Sequence, residues 1–151
     1  MERALIILKP DAVQRGLIGP IISRLEQRGL KFQGLKLMQV TEEIARKHYA
    51  EHEGKGFFAG LVSYITSAPV IVAVVAGKAG TIEMVRTMVG ATNPAKAAPG
   101  TIRGDFGVEI GRNLIHASDS PASGEREVAI FFSEGELITE WARSNDAWIY
   151  E

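Results

Sequence analysis

The chain has no cysteine. Disulfides and thiolate metal sites are therefore excluded, and a reducing compartment suits it. It also lacks an excess of charge: 17 basic residues face 18 acidic ones, for a net charge of −1. That balance argues against the basic surface that gives a polynucleotide-binding protein its bulk electrostatic grip. There is no apolar run of transmembrane length, no low-complexity tract and no cationic leader with a cleavage site. The expectation is a cytoplasmic protein with neither a membrane nor a nucleic acid as partner. The common glycine-rich phosphate loops are missing as well. No stretch satisfies G-x-x-x-x-G-K-[ST] or G-x-G-x-x-G, and Gly54-Lys55-Gly56 and Gly77-Lys78 match only fragments of them. No histidine or acidic cluster has convincing metal-ligand spacing.

What is present suits one domain spanning residues 1–151, with 46% hydrophobic residues to fill a sizeable core. Ala4-Leu5-Ile6-Ile7-Leu8 reads as a buried strand stopped at Lys9-Pro10-Asp11. Gly19-Pro20 opens a helix, Gly29 ends it, and Leu30 to Val40 reads as a strand whose apolar alternation changes phase at Gly34, the mark of a bulge. Thr41 starts one helix and Gly54-Lys55-Gly56 precedes another. Val70 to Ala76 is nearly all β-branched, as in a central strand covered on both faces. Thr81 begins a helix ended by Gly90, and residues 91–112 lack regular periodicity, which in a compact domain marks a functional or disordered segment. Ser120-Pro121 opens a short helix, Val128 to Phe132 reads as a fourth strand, and Ser133-Glu134-Gly135-Glu136 matches a capping box for a last helix. The tail, Trp148-Ile149-Tyr150, is too apolar to stay free of its own domain or a neighbouring subunit. The fold class expected is α+β, a ferredoxin-like split β-α-β sandwich with a four-stranded antiparallel sheet and helices on one face.

Of three histidines, His116 stands out. Leu114-Ile115 precede it and should fix its backbone, Ser118 and Asp119 follow, and a helix start comes next. A neutral imidazole can act as base or nucleophile without assistance, although a lone histidine is more often structural. Lys9 at a strand end, Arg86 in a helix and Arg103 in the irregular segment are isolated cations, each by itself an ordinary surface charge.

Five segments change that reading: Lys9-Pro10-Asp11, Phe57-Phe58-Ala59-Gly60-Leu61, Thr92-Asn93-Pro94-Ala95, Pro99 through Phe106, and Asn113-x-x-His116-Ala117-Ser118-Asp119. In this order and spacing they closely resemble the nucleoside diphosphate kinases, and the resemblance runs from Arg3 to the last residue. It implies transfer of the γ-phosphoryl group of ATP or another nucleoside triphosphate to a nucleoside diphosphate, by a ping-pong route that maintains nucleotide pools. By the same resemblance His116 becomes a phosphohistidine phosphorylated at its pros nitrogen. Glu127 orients the ring with support from Ser118, and Tyr49 lies nearby. Lys9, Arg86, Thr92, Arg103 and Asn113 hold the phosphates and ribose, with Lys9 also counted in the catalytic set. Phe57 stacks on the base, and Leu61 and Ile110 line the same slot. Mg2+ arrives on the nucleotide phosphates, with help from Asp119. The family assembles from dimers through a sheet edge, and the tail and the Asn93-Pro94-Ala95 loop resemble its hexameric members, so a homo-hexamer is expected. Phe58 is expected in the core, and His48 and His52 on a solvated helix edge without a catalytic role.

Departures from the family pattern are small: Ala12 and Ala117 stand where glycine is frequent, and Ile110 where valine is common. Two other classes stay open at this point. A binding module of the same fold would not require His116, Glu127, Arg86 and Arg103 together. A protein-directed phosphocarrier would keep the histidine but have no use for Phe57.

Overall fold

A computed structural model describes all residues from Met1 to Glu151. Its elements are β1 (Glu2–Leu8), α1 (Pro10–Gln14), α2 (Ile18–Gln27), β2 (Lys31–Met38), α3 (Glu42–His48), α4 (Phe58–Ile65), β3 (Val70–Gly77), α5 (Thr81–Val89), α6 (Ile102–Phe106), β4 (Ile115–Ala117) and α7 (Pro121–Phe131). The four strands form one sheet in the order β2-β3-β1-β4, and every pairing is antiparallel. The α+β class and the four-stranded antiparallel sheet are as the sequence indicated.

The central strands carry the apolar runs. All eight residues of β3 are buried, and β1 is buried from Ala4 to Leu8. Because side chains alternate along a strand, the two sides of β1 serve two cores. Ala4, Ile6 and Leu8 join residues of α1, α2, α5 and α6, while Leu5 and Ile7 join residues of α3, α4 and α7. Helices therefore cover both faces rather than one. The bulge falls where the phase change placed it: β2 slips register against β3 between Phe32 and Gly34.

One element differs in kind from the sequence reading. Val128 to Phe131 is not a strand but the last turns of α7. A five-residue apolar run fits a strand or a buried helix equally well. Here the upstream cap decides: Ser120 Oγ accepts from Ser123 N at 3.1 Å, and Pro121 fills the first turn. Once helical, Gly124, Glu127, Val128 and Phe131 form one buried stripe. Gly124 lets α7 lie very close to β1, since a Cβ there would stand 2.0 Å from the Arg3 carbonyl oxygen. The place of the fourth strand is taken by β4, only three residues long, which carries His116 opposite Ile7.

Smaller differences follow from local chemistry. Pro10 does stop β1, but it also opens the short helix α1. The Ser133–Glu136 capping box forms, yet it caps a single 3-10 turn rather than a helix. Residues 91–112, which show no periodicity, hold the short helix α6 between two 3-10 turns, with Asn93 capping at Ala95 and Thr101 at Gly104. In the tail, Ile149 packs on Gly29 and Lys78 lies over the Tyr150 ring, while Trp148 stays 89% exposed.

Candidate active site

The site forms at the free edge of β4. Leu114 O accepts from Lys9 N and Ser118 N donates to Leu5 O, so alternate residues of this strand bond inward to β1. The carbonyls of Ile115 and Ala117 consequently point to the open edge. Two arginines take them: Arg103 Nη2 donates to Ile115 O at 2.6 Å and Arg86 Nη1 donates to Ala117 O at 3.2 Å. An unpaired strand edge needs such cover, and covering it this way places two guanidinium groups beside His116.

His116 points to the α7 side and its side chain keeps 25% of its surface exposed, enough to meet a ligand. Its Nε2 lies 2.9 Å from Glu127 Oε1, which also accepts from Ser118 Oγ at 2.7 Å. Leu5 N donates to Ser118 Oγ at 2.9 Å, so the hydroxyl is itself anchored to β1. Burial alone would raise the Glu127 carboxyl, but the bonds from His116 and Ser118 outweigh it and hold the group below its ordinary value. An ionised Glu127 fixes the proton on Nε2 and leaves the Nδ1 lone pair free, with no hydrogen bond to the chain.

Leu114, two residues before His116, is fully buried and has φ +74°, the one residue other than glycine in the left-handed region. Such a conformation costs about 1–3 kcal/mol. The apolar pair before the histidine does fix its backbone, then, and does so in a strained form.

The cations converge. Lys9 Nζ donates to Asn113 Oδ1 at 2.8 Å, and Asn113 Nδ2 donates to Thr92 O at 3.0 Å. Burial and then the neighbouring Arg103 push the Lys9 ammonium down to about 8, partly offset by Asp11. Arg103 is buried and also donates to Asn113 O and Gly90 O, at 3.1 and 3.2 Å. Burial and Arg86 lower its guanidinium to about 10. With three of its five N–H groups engaged, Arg103 staples the nucleophile segment as much as it offers charge. Three cations packed this closely leave a local excess of positive charge, a setting for a polyanion.

Phe57, at the N-cap of α4, is 53% exposed beside the His52 ring at 5.2 Å, with Leu61 one turn further along. Phe58 is buried in the core, as expected. Ile110 is exposed on the 110–112 turn. Tyr49 is half-buried, and burial followed by Glu127 raises its hydroxyl to about 12. Asp119 is exposed and makes no hydrogen bond within the chain.

His48 departs from its expected place. It is 6% exposed rather than solvated, and its ring stands edge-on to His116 with centroids 4.8 Å apart. Phe131 flanks it at 5.3 Å, and its buried Nδ1 has no partner. Burial, then His116, pushes it down to about 3, so it is neutral near pH 7. The charged residues Glu42, Glu43, Arg46 and Lys47 around it mask this burial: in α3 the buried residues are Ala45 and His48, a spacing of three that was the available signal, with Ile44 packed partly against the same core. His48, His116 and Glu127 also form the one group able to hold a metal ion. Two imidazoles and one carboxylate suit zinc-like ions, whereas Mg2+ prefers oxygen donors and water.

Comparison with known proteins finds relatives along the whole chain. A family model described as nucleoside diphosphate kinase covers residues 2–137. A nucleoside diphosphate kinase of Chloroflexus aggregans is 83% identical over 100% of both chains, and one of Archaeoglobus fulgidus is 57% identical over 100% of this chain and 99% of that one. Among solved structures, a halophilic nucleoside diphosphate kinase from Halobacterium salinarum in complex with CDP superposes with a TM-score of 0.95 at 54% identity, covering 99% of each chain.

Proposed function

Because this chain belongs to the nucleoside diphosphate kinase family, we propose that His116 is its phosphorylated nucleophile and attacks through Nδ1. The enzyme transfers the γ-phosphoryl group of a nucleoside triphosphate to a nucleoside diphosphate in two half-reactions through a phosphohistidine. The observation that carries the residue assignment is the Nε2···Glu127 contact, which leaves Nδ1 as the one free lone pair of the ring. In the first half-reaction the Nδ1 lone pair forms a bond to the γ-phosphorus. The bond to the β–γ bridging oxygen breaks, and the diphosphate leaves with that electron pair. Glu127 keeps the Nε2 proton and balances the positive charge that develops on the ring, while Ser118 holds the carboxylate in place. The second half-reaction is the reverse, with another diphosphate as acceptor.

Lys9, Arg86 and Arg103 neutralise the phosphates, and Thr92 and Asn113 complete the phosphate and ribose contacts. This electrostatic role is the dominant one in phosphoryl transfer. Phe57 stacks on the base, with Leu61 and Ile110 lining the slot, and Tyr49 closes the site near the histidine. Stacking reads no base edge, so broad nucleotide tolerance follows. The CDP held by the Halobacterium salinarum relative is a ligand of the class such a site takes. Mg2+ carried by the nucleotide would neutralise phosphate charge, and the exposed Asp119 carboxylate would help hold it. The working unit is one domain, residues 1–151, in the cytoplasm. It assembles as a hexamer built from dimers through the β2 edge, where Leu35 and Leu37 are exposed; light scattering that reports a monomer would refute this.

The deciding experiment incubates the protein with γ-labelled ATP and Mg2+, then chases with GDP. Acid-labile label that passes to GDP and is absent from His116→Ala establishes the nucleophile. No label on folded protein overturns the assignment.

A further inference from the structure

The left-handed Leu114 is held at both of its peptide groups by a single short turn. Its carbonyl accepts from Lys9 N at 2.8 Å, and its N–H donates to Asp11 Oδ2 at 3.0 Å. The other oxygen of Asp11 accepts from the Tyr64 hydroxyl, which in return accepts from Asp11 N at 3.1 Å. Tyr64 lies on α4, one turn beyond Leu61, and the Arg112 guanidinium stacks 4.1 Å from its ring centroid. Arg112 ends the 110–112 turn that carries Ile110. Asp11 and Tyr64 therefore sit where both walls of the base slot meet the segment that presents His116. Neither residue hydrogen-bonds the His116 ring.

We propose that Asp11 and Tyr64 form a positioning bridge that holds Leu114 left-handed and so sets His116 in line with the phosphate. A carboxylate is required because both of its oxygens are used, one for each side of the junction. An amide in its place presents one acceptor and one donor: with its oxygen on Leu114 N, it can only donate to the Tyr64 oxygen. The Tyr64 proton then loses its charged acceptor, and the Leu114 N–H exchanges a carboxylate for a weaker, neutral one. Without the bridge the strained backbone relaxes, and the imidazole shifts relative to Glu127 while the nucleotide contacts remain.

This inference rests on the phosphohistidine reading, and its test keeps the two apart. Single-turnover labelling from γ-labelled ATP gives the rate of phosphoenzyme formation, and equilibrium binding of ADP gives nucleotide affinity. Misplacing reacting groups by a fraction of an ångström to an ångström costs up to roughly 10²-fold. We expect Asp11→Asn to slow labelling on the order of 10²-fold and Tyr64→Phe about tenfold, with ADP affinity within about twofold of the unmodified protein. The double variant should be no slower than Asp11→Asn alone, because the two residues act as one unit. Tyr64→Phe keeps the ring and its packing, so it decides the matter if Asp11→Asn does not fold. Labelling at the unmodified rate in both variants overturns the bridge, as does a loss of ADP affinity equal to the loss of rate. The His116 imidazole resonances give a readout independent of catalysis: Tyr64→Phe displaces them if the bridge operates and leaves them unmoved if it does not. Failure of the unmodified protein to take label would instead refute the kinase reading, with the resonance shift still deciding the bridge.

Discussion

The sheet has two edges, and they are finished in opposite ways. β4 is three residues long, and its outward carbonyls are taken by Arg86 and Arg103. β2 is eight residues long, and only its first half is covered: Ile138 N donates to Gln33 O and Trp141 Nε1 donates to Phe32 O. Beyond the bulge, Leu35 and Leu37 stand 53% and 62% exposed. An edge strand must have its backbone satisfied or be paired by another chain. At β4 the first solution gathers cations around a histidine, at the proposed reaction site. At β2 the second solution leaves an apolar strand for a partner, in keeping with the proposed dimer. On the proposed reading, the same backbone requirement serves catalysis at one edge and assembly at the other.

The sharpest way to break the β4 side is Glu127→Gln. The amide keeps the shape but no longer fixes the Nε2 proton or balances ring charge, so phosphoenzyme formation should fall by at least about 10²-fold with nucleotide affinity retained. Rapid-quench labelling measures it, and a change confined to affinity would contradict the assigned role. Next comes Arg103→Leu. It strips partners from the carbonyls of Asn113, Gly90 and Ile115, and the expected loss is about 3 kcal/mol in chemical denaturation. Phosphate affinity should fall with it, which separates a staple from a purely electrostatic group.

Two pH effects sharpen the contrast further. Lys9 is a cation below about pH 8 and neutral above it. Its contribution to phosphate binding is therefore present at neutral pH and lost as pH rises, so kcat/KM should decline above that value. Lys9→Arg should move this limb to higher pH, and an unmoved limb would assign it to another group. His48 stays neutral down to about 3 in the fold but takes a proton near 6.5 when unfolded. Between these values the unfolded chain binds the extra proton, so this residue removes stability as pH falls from about 6.5 towards 3, by up to about 1.4 kcal/mol per pH unit. In His48→Phe, which has no proton to gain, the Tm should depend less steeply on pH across that window.

The smallest effect belongs to the β2 edge. Leu37→Lys should lower the oligomeric state in light scattering while each chain's phosphoenzyme yield changes by less than about twofold, because β2 lies across the sheet from His116.

Much of this arrangement was legible in the sequence, and the exceptions share a cause. The ordered motifs contain His116, Lys9 and Arg103, since each motif carries its own residue types. Glu127 and Arg86 lie outside those segments and came from the family resemblance alone, and the fold brings Glu127 to His116 and Arg86 to Arg103. The all-apolar Val70 to Ala76 announced a central strand because burial on both faces leaves no alternation to misread. Val128 to Phe131 misled for the same reason in reverse: a run this short has no period, and the deciding cap lies eight residues upstream at Ser120. His48 was hidden by charged neighbours, and its environment is made by Phe131 and His116, far away in the chain. The strain at Leu114 and the partners of Asp11 are likewise products of long-range packing, which no local pattern encodes.

Gly124 adds one more consequence. The clearance between α7 and the Arg3 carbonyl leaves no room for a methyl group, and Glu127 sits one turn further along the same helix. The height of that carboxylate over β4 is therefore gauged by a residue with no functional group at all. A mutational scan for activity should score position 124 among the intolerant ones, and a map of chemical groups alone would give no reason for it.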